Sequence, residues 1–195
     1  EIEEVVDSLE AKWPGTGPKA QRFERAFADY VGADYAVAVN SCTAALHLSL
    51  ECLDLRPDDE VITTPLTFCA TVNTIIHAGG TPVLADVDPE TMNLDPAKVE
   101  EQITDRTRAI MPVHFAGRAC EMRELQRICA GYDLALIEDC AHAIETEYRD
   151  QKPGTFGEFG CFSFYATKNV VTGEGGMVVT DDEQMAERLR VLSLH

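Results

Sequence analysis

A chain of 195 residues, 45% of them hydrophobic, can bury one substantial core, and its length points to a single domain spanning residues 1–195. Sixteen basic against 34 acidic residues leave a net charge of −18, which repels polyanions and argues against nucleic acid as a partner. An anionic ligand would have to be held locally, by helix N-termini, hydroxyls and a few arginines.

Seven cysteines stand singly at 42, 52, 69, 120, 129, 140 and 161, with no CxxC pair to suggest a zinc or redox site, which fits a reducing cytoplasm. No apolar run approaches the ~20 residues that cross a bilayer, and no charged-then-apolar leader opens the chain. A soluble, cytoplasmic protein with no membrane partner is therefore expected.

The chain opens in an amphipathic helix, Glu1 to Ala11, with no leading strand, and stops at Leu192-Ser193-Leu194-His195 with no closing element. A fragment is the expectation. After Gly32, short β-branched runs alternate with helix-length amphipathic stretches, the rhythm of an α/β domain with a mostly parallel central sheet. Strands are predicted at Tyr35–Val39, Val61–Thr64, Pro82–Asp86, Arg108–Val113 and Leu134–Glu138, each apolar enough to be covered on both faces. Helices are predicted at Thr43–Leu55, Ala70–Ala78, Pro96–Ile103 and Glu121–Ala130, with Asp95-Pro96 at one start and Gly79 and Gly131 past two ends. From Gly154 to Thr180, glycine-rich turns surround two short strands, Phe159–Phe164 and Met177–Thr180, which suggests antiparallel pairing. Thr180 and Glu183, spaced as a capping box, open a last helix.

In open α/β sheets ligands collect at the carboxyl ends of the strands. Asn40-Ser41-Cys42-Thr43 offers hydroxyls and free N–H groups to an anion, although N-capping by Ser41 or Thr43 is the plainer reading of that motif alone. Phe68, directly after a strand, could stack on a flat ring or simply be core. His114-Phe115-Ala116-Gly117 follows another strand. Asp139 ends an apolar strand, where a carboxylate needs a cation or donors, and a protonated ring nitrogen or a neighbouring loop would serve equally. His142 lies three residues on. Lys168 sits between Phe162-Ser163-Phe164-Tyr165 and Thr172-Gly173-Glu174-Gly175-Gly176, where a semi-buried amine could lose its proton and join an aldehyde. Phosphate donors, a ring to stack, a carboxylate and a reactive lysine on one face are together the needs of pyridoxal phosphate.

The run Phe162-Ser163-Phe164-Tyr165-Ala166-Thr167-Lys168-Asn169, with Thr172-Gly173-Glu174-Gly175-Gly176, closely resembles the catalytic segment of the DegT/StrS-type sugar aminotransferases. Gly15-Thr16-Gly17-Pro18, Asn40 to Leu46, Thr67 to Thr71 and Glu138 to Ala143 follow in that family's order. The resemblance implies the three-layer α/β/α large domain of fold-type I enzymes that use pyridoxal 5′-phosphate. It implies that Lys168 forms the internal aldimine and that Asp139 meets the pyridine nitrogen. Thr43, the Ala44 backbone and Ser163 would bind the phosphate, Phe68 would stack on the ring, and His142 would lie near it. The implied reaction carries an amino group from an amino acid, L-glutamate by expectation, to the keto group of a nucleotide-linked sugar in amino-sugar, polysaccharide or antibiotic-sugar biosynthesis. A family branch that removes a hydroxyl carries histidine at the lysine position, and Lys168 argues against it. Family members are about twice this length, have a C-terminal small domain, and build their sites between two subunits of a homodimer. The chain would thus lack that domain and a short N-terminal segment. Trp13, Arg118 and Gly15–Pro18 are candidate substrate neighbours, with Trp13 alternatively stapling the first helix to the core.

Two other readings stand beside this one. A sensor on the same fold could bind the cofactor without turnover, and amino-donor-driven conversion would separate the two. A nicotinamide dehydrogenase is suggested only by the alternating elements, and no G-x-G-x-x-G follows the first strand.

Overall fold

The computed structural model describes residues 2–11 and 16–194; Trp13 and Gly15, named above, lie outside the described residues. Helix α1 (Ile2–Glu10) comes first. Helix α2 (Pro18–Val31), which the strand-and-helix rhythm after Gly32 did not include, carries its own punctuation. Pro18 stands in its first turn, where a missing N–H costs nothing. Gly32 closes it at φ +84°, donating its N–H to the Ala28 carbonyl at 2.8 Å.

The rest alternates as expected. Strand β1 (Tyr35–Val39) leads to α3 (Cys42–Glu51), β2 (Glu60–Thr63) to α4 (Cys69–His77), and β3 (Thr81–Leu84) to α5 (Pro96–Gln102). Then come β4 (Thr107–Met111), a short 3-10 turn at Phe115–Gly117, α6 (Met122–Tyr132), β5 (Ala135–Asp139), β6 (Phe159–Ser163), β7 (Gly176–Thr180) and α7 (Glu183–Leu192). Most boundaries fall within a residue or two of those predicted; α3 stops earlier, at Glu51, and a turn from Cys52 to Asp54 follows.

Two local expectations are corrected. The last helix is capped by Asp182, whose carboxylate accepts from the Gln184 and Met185 N–H groups, while Thr180 remains in its strand. Asp is as good a cap as Thr and here stands directly before the helix. Gly131 lies inside α6, which runs on to Tyr132 and ends on Asp133 in the left-handed conformation. Asp tolerates that conformation because its short polar side chain bonds locally.

Among the described residues, seven strands form one sheet in the order β1-β7-β6-β5-β4-β2-β3. Only β7 runs against its neighbours, pairing antiparallel with both β1 and β6. The other pairings are parallel. Strand alternation sorts the core onto two faces. Val61, Ala109, Met111, Ile137, Cys161 and Val178 pack with Leu46 and Leu50 of α3, Ile75 and Leu189. The intervening Ile62, Ile110 and Leu136 pack on α6, and Phe162, Met177 and Val179 pack on Phe27 and Val31 of α2. The result is the expected three-layer α/β/α arrangement, with α3, α4 and α7 on one face and α2, α5 and α6 on the other. No described helix is long and apolar enough to cross a membrane.

Candidate active site

At the carboxyl ends of the parallel strands a cleft of about 470 Å³ opens, a size suited to a small molecule. Its lining includes Thr43, Phe68, Asp139, His142, Ser163 and Lys168, six of the seven candidate residues. They come from five separate places: the start of α3, the start of α4, the end of β5, the loop after it, and the end of β6 with the segment that follows. A larger cavity of about 1030 Å³ lies at the opposite ends of the strands. Its lining carries Asp133, Glu158, Asp181, Asp182 and Glu183 and, among the described residues, no lysine, arginine or histidine. That lining offers an anion no cation and a carbonyl group no amine, so the smaller cleft is the candidate site.

Asp139 forms its floor. The carboxylate is 4% exposed, and burial pushes its pKa upward. Opposing burial, Thr71 Oγ1 donates to Oδ2 at 2.8 Å and the Ala141 N–H donates to Oδ1 at 3.1 Å. Cys42 Sγ lies 4.0 Å from the same Oδ1. Burial, and after it the Asp139 charge, pushes the Cys42 thiol well up, so it stays protonated.

The lysine is held by a turn. Its N–H donates to the Tyr165 carbonyl at 2.9 Å, and Phe164 and Thr172 bond across the turn that follows. Asn169 ties the turn to the loop after β5 by donating to Glu145 at 2.8 Å. Lys168 is half-buried and also borders a second cavity of about 510 Å³, shared with His142, Ser163 and Thr167. His142 is exposed, and its pKa is lowered, first by partial burial and then by the charge of Lys168.

The residues expected at a phosphate divide. Ser41 is the N-cap of α3, and its Oγ accepts the Ala44 N–H at 3.1 Å, the capping that the plainer reading of the motif expects. Ala44 does not line the cleft. Thr43, in the first turn of α3, is exposed and does line it. Gly176 of β7 presses on this turn: a Cβ there would stand 2.4 to 2.7 Å from backbone atoms of Ser41 and Cys42. Phe68 is 75% exposed at the rim, so it is not core. Arg118 donates to the Glu90 carbonyl and takes no part in the cleft lining.

His114, Glu138 and Cys140 are a different matter. They are fully buried and close enough to suggest a metal site. Glu138, however, already accepts from His114 Nε2 at 3.1 Å and from the N–H groups of Gly154, Phe156 and Gly157 at 2.8, 2.7 and 3.1 Å. His114 Nδ1 accepts the Cys120 N–H at 3.2 Å. With both carboxylate oxygens and both ring nitrogens engaged, and Cys140 pushed to about 12 by burial, the cluster is a structural lock.

What the residue types and spacing did not disclose is the role of Thr67 and Thr71. Thr67 lies just before the helix and Thr71 in its first turn, and their hydroxyls meet at 2.6 Å.

The whole of residues 1–195 matches the model of the DegT/DnrJ/EryC1/StrS aminotransferase family. The chain belongs to that family. It is 54% identical over 195 residues to the spore coat polysaccharide biosynthesis protein SpsC of Bacillus subtilis, covering all of this chain and 50% of that protein. It is 44% identical over 189 residues to a GDP-perosamine synthase of Caulobacter vibrioides, covering 96% of this chain and 51% of the synthase. Among solved structures, NtdA of Bacillus subtilis with bound cofactor PMP superposes with a TM-score of 0.91 at 33% identity, covering all of this chain and 45% of that one. The chain spans about half the length of the curated relatives it matches.

Proposed function

We propose that residues 1–195 are the cofactor-binding large domain of a pyridoxal-phosphate-dependent aminotransferase that moves an amino group from an amino acid to a keto group of a nucleotide-linked sugar. The observation that carries this reading is the meeting of Lys168 and Asp139 in one cleft with Thr43, Ser163 and an exposed Phe68. The donor set fits the group: a half-buried amine for an aldehyde, a buried carboxylate for a ring nitrogen, hydroxyls and a helix start for a phosphate, and a free aromatic face for the ring. The GDP-perosamine synthase and the PMP-bound NtdA among its relatives support the sugar and the cofactor respectively.

When bound, pyridoxal phosphate supplies an electron sink for the carbanion and carries the amino group between two half-reactions. Each residue then has a separate task. Lys168 Nζ, half-buried in the cleft, would hold the aldehyde of the bound group. As a free amine it would be placed to accept and return a proton, acting as base and then acid. Asp139, which accepts from Thr71 and Ala141, would face the ring nitrogen of the bound group and favour its protonated form. Thr43 and Ser163 bind the phosphate, beside the first turn of α3. Phe68 covers the ring and excludes water, and His142 stays neutral beside Lys168 near physiological pH, its pKa being lowered. The protein works in the cytoplasm as a homodimer with shared sites, with L-glutamate as the amino donor.

The test is the absorption spectrum of the full-length protein with pyridoxal phosphate, beside Lys168→Ala. A near-visible band that borohydride fixes, glutamate bleaches and Lys168→Ala abolishes is the expected result. A band that survives in Lys168→Ala would remove the central assignment. A normal band that no amino donor bleaches would leave binding without turnover.

A further inference from the structure

Thr67 and Thr71 lie outside the roles assigned above, yet they are joined to the floor of the cleft. Thr71 Oγ1 stands 2.8 Å from Asp139 Oδ2 and 2.6 Å from Thr67 Oγ1. We propose that Thr71 is a positioning residue for the reaction, and that Thr67 and Thr71 form a directed hydroxyl chain that holds the Asp139 carboxylate ionised toward the ring nitrogen of the bound cofactor. The proposal rests on the reading of Asp139 given above.

The direction of the chain follows from proton counting. An ionised carboxylate only accepts, so the one hydroxyl hydrogen of Thr71 points at Asp139. The Thr67 contact therefore has Thr67 donating and Thr71 accepting. Each donation polarises the next, which strengthens the bond to the carboxylate.

The place of this chain makes it hard to replace. Thr71 is fully buried and Asp139 nearly so, which makes the loss of the Oδ2 bond costly. Asp139 sits in the series of strand residues that faces α3 and α4, and Thr71 stands in the first turn of α4, so helix placement aims the hydroxyl. The other donors act elsewhere: Ala141 N–H and the Cys42 thiol both lie on Oδ1. Removing the Thr71 hydroxyl would leave Oδ2 with no donor among the described residues. Burial already raises the proton affinity of Asp139, so the proton of a bound ring nitrogen would pass to the carboxylate, leaving a neutral carboxyl and a neutral pyridine. A neutral ring is a poorer electron sink. Thr67, half-buried in the cleft lining, would act one step removed and more weakly.

The experiment loads the full-length protein with pyridoxal phosphate labelled with 15N in the ring and reads the nitrogen chemical shift against pH. Wild type, Thr71→Val, Thr71→Ser, Thr67→Val and Asp139→Asn are compared. Wild type is expected to show a protonated ring nitrogen, and Thr71→Val a shift toward the unprotonated value. With it, kcat for the amino-donor half-reaction should fall about 10- to 100-fold, the loss of a hydrogen bond to a charged group, while KM for the donor moves less than about 3-fold. Thr71→Ser should restore both readouts, and Thr67→Val should move both the same way by less. A protonated nitrogen and unchanged kcat in Thr71→Val would overturn the proposal. If Thr71→Val does not fold, a Thr67→Val spectrum identical to wild type overturns it, and an intermediate shift with wild-type behaviour in Thr71→Ser supports it. Failure of Asp139→Asn to alter the nitrogen shift would instead bring down the assignment of Asp139, a separate result.

Discussion

Glu138 and Asp139 are adjacent carboxylates on β5, both buried, and the pleat sends them to opposite faces of the sheet with opposite fates. Glu138 meets four N–H donors, one from His114 and three from the loop at 154–157. Asp139 meets two conventional donors and borders an open cleft. A carboxylate with every lone pair engaged can only hold structure. One with capacity to spare can hold a ligand, and the difference lies in where the strand ends: loops close over one side of the sheet and the helix starts of α3 and α4 stand back on the other.

Removing Glu138 should break the first region most severely. Glu138→Ala strands four donors at once, those of His114 and Gly154 fully buried, and a loss of about 3–5 kcal/mol in unfolding free energy is expected from denaturant titration. The 154–157 loop has no ready substitute, because Gly160 packs on Gly154 so closely that even a Cβ would stand 2.3 Å from its Cα. A loss below about 1 kcal/mol would mean that water or a rearranged loop satisfies those groups, and that Glu138 is no lock.

Asp139→Asn sharpens the other side. The amide keeps the volume and can still exchange hydrogen bonds with Thr71 and Ala141, so the unfolding midpoint should move little, by about 0.5 kcal/mol or less. Turnover should fall by about 10²- to 10³-fold, the scale of losing one preorganised electrostatic partner. Stability and activity are thus predicted to separate between neighbouring residues. Equal losses of both in the two variants would erase the distinction.

The site was readable in the sequence where chemistry imposes unusual residues on fixed places: a lysine before a glycine-rich turn, a carboxylate at the end of an apolar strand, hydroxyls at a helix start. Six of the seven candidate residues border one cleft. The seventh, Ala44, was named from the family resemblance alone, and its N–H is bonded to Ser41. The division of labour between Glu138 and Asp139 was half readable. Alternation says that they face apart, but which face opens on a cleft depends on helix placement across the whole sheet. The roles of Thr67 and Thr71 were hidden for the same reason, since their partner is 68 residues beyond Thr71. Helix α2 escaped notice although Pro18 and Gly32 bracket it and Phe23, Phe27, Ala28 and Val31 mark its packed face, because it precedes the strand-and-helix alternation that begins after Gly32.

The smallest effect separates the two carboxylates by pH. Burial raises the pKa of Asp139 above its ordinary value of 3.8. A raised folded-state pKa means that the folded protein binds this proton more tightly than the unfolded chain does. The associated stability is therefore fully present below about pH 3.8 and is lost as pH rises through the folded-state pKa. Asp139→Asn cannot titrate, so the stability of the cofactor-free wild type relative to this variant should decline with rising pH across that window and level off above it. Taking the difference between the two proteins cancels the general repulsion of a chain with net charge −18, which both share apart from this single site. Denaturant unfolding at a series of pH values measures it. A difference that rises with pH would mean that Thr71 and Ala141 outweigh burial and that Asp139, like Glu138, is held chiefly by its protein donors.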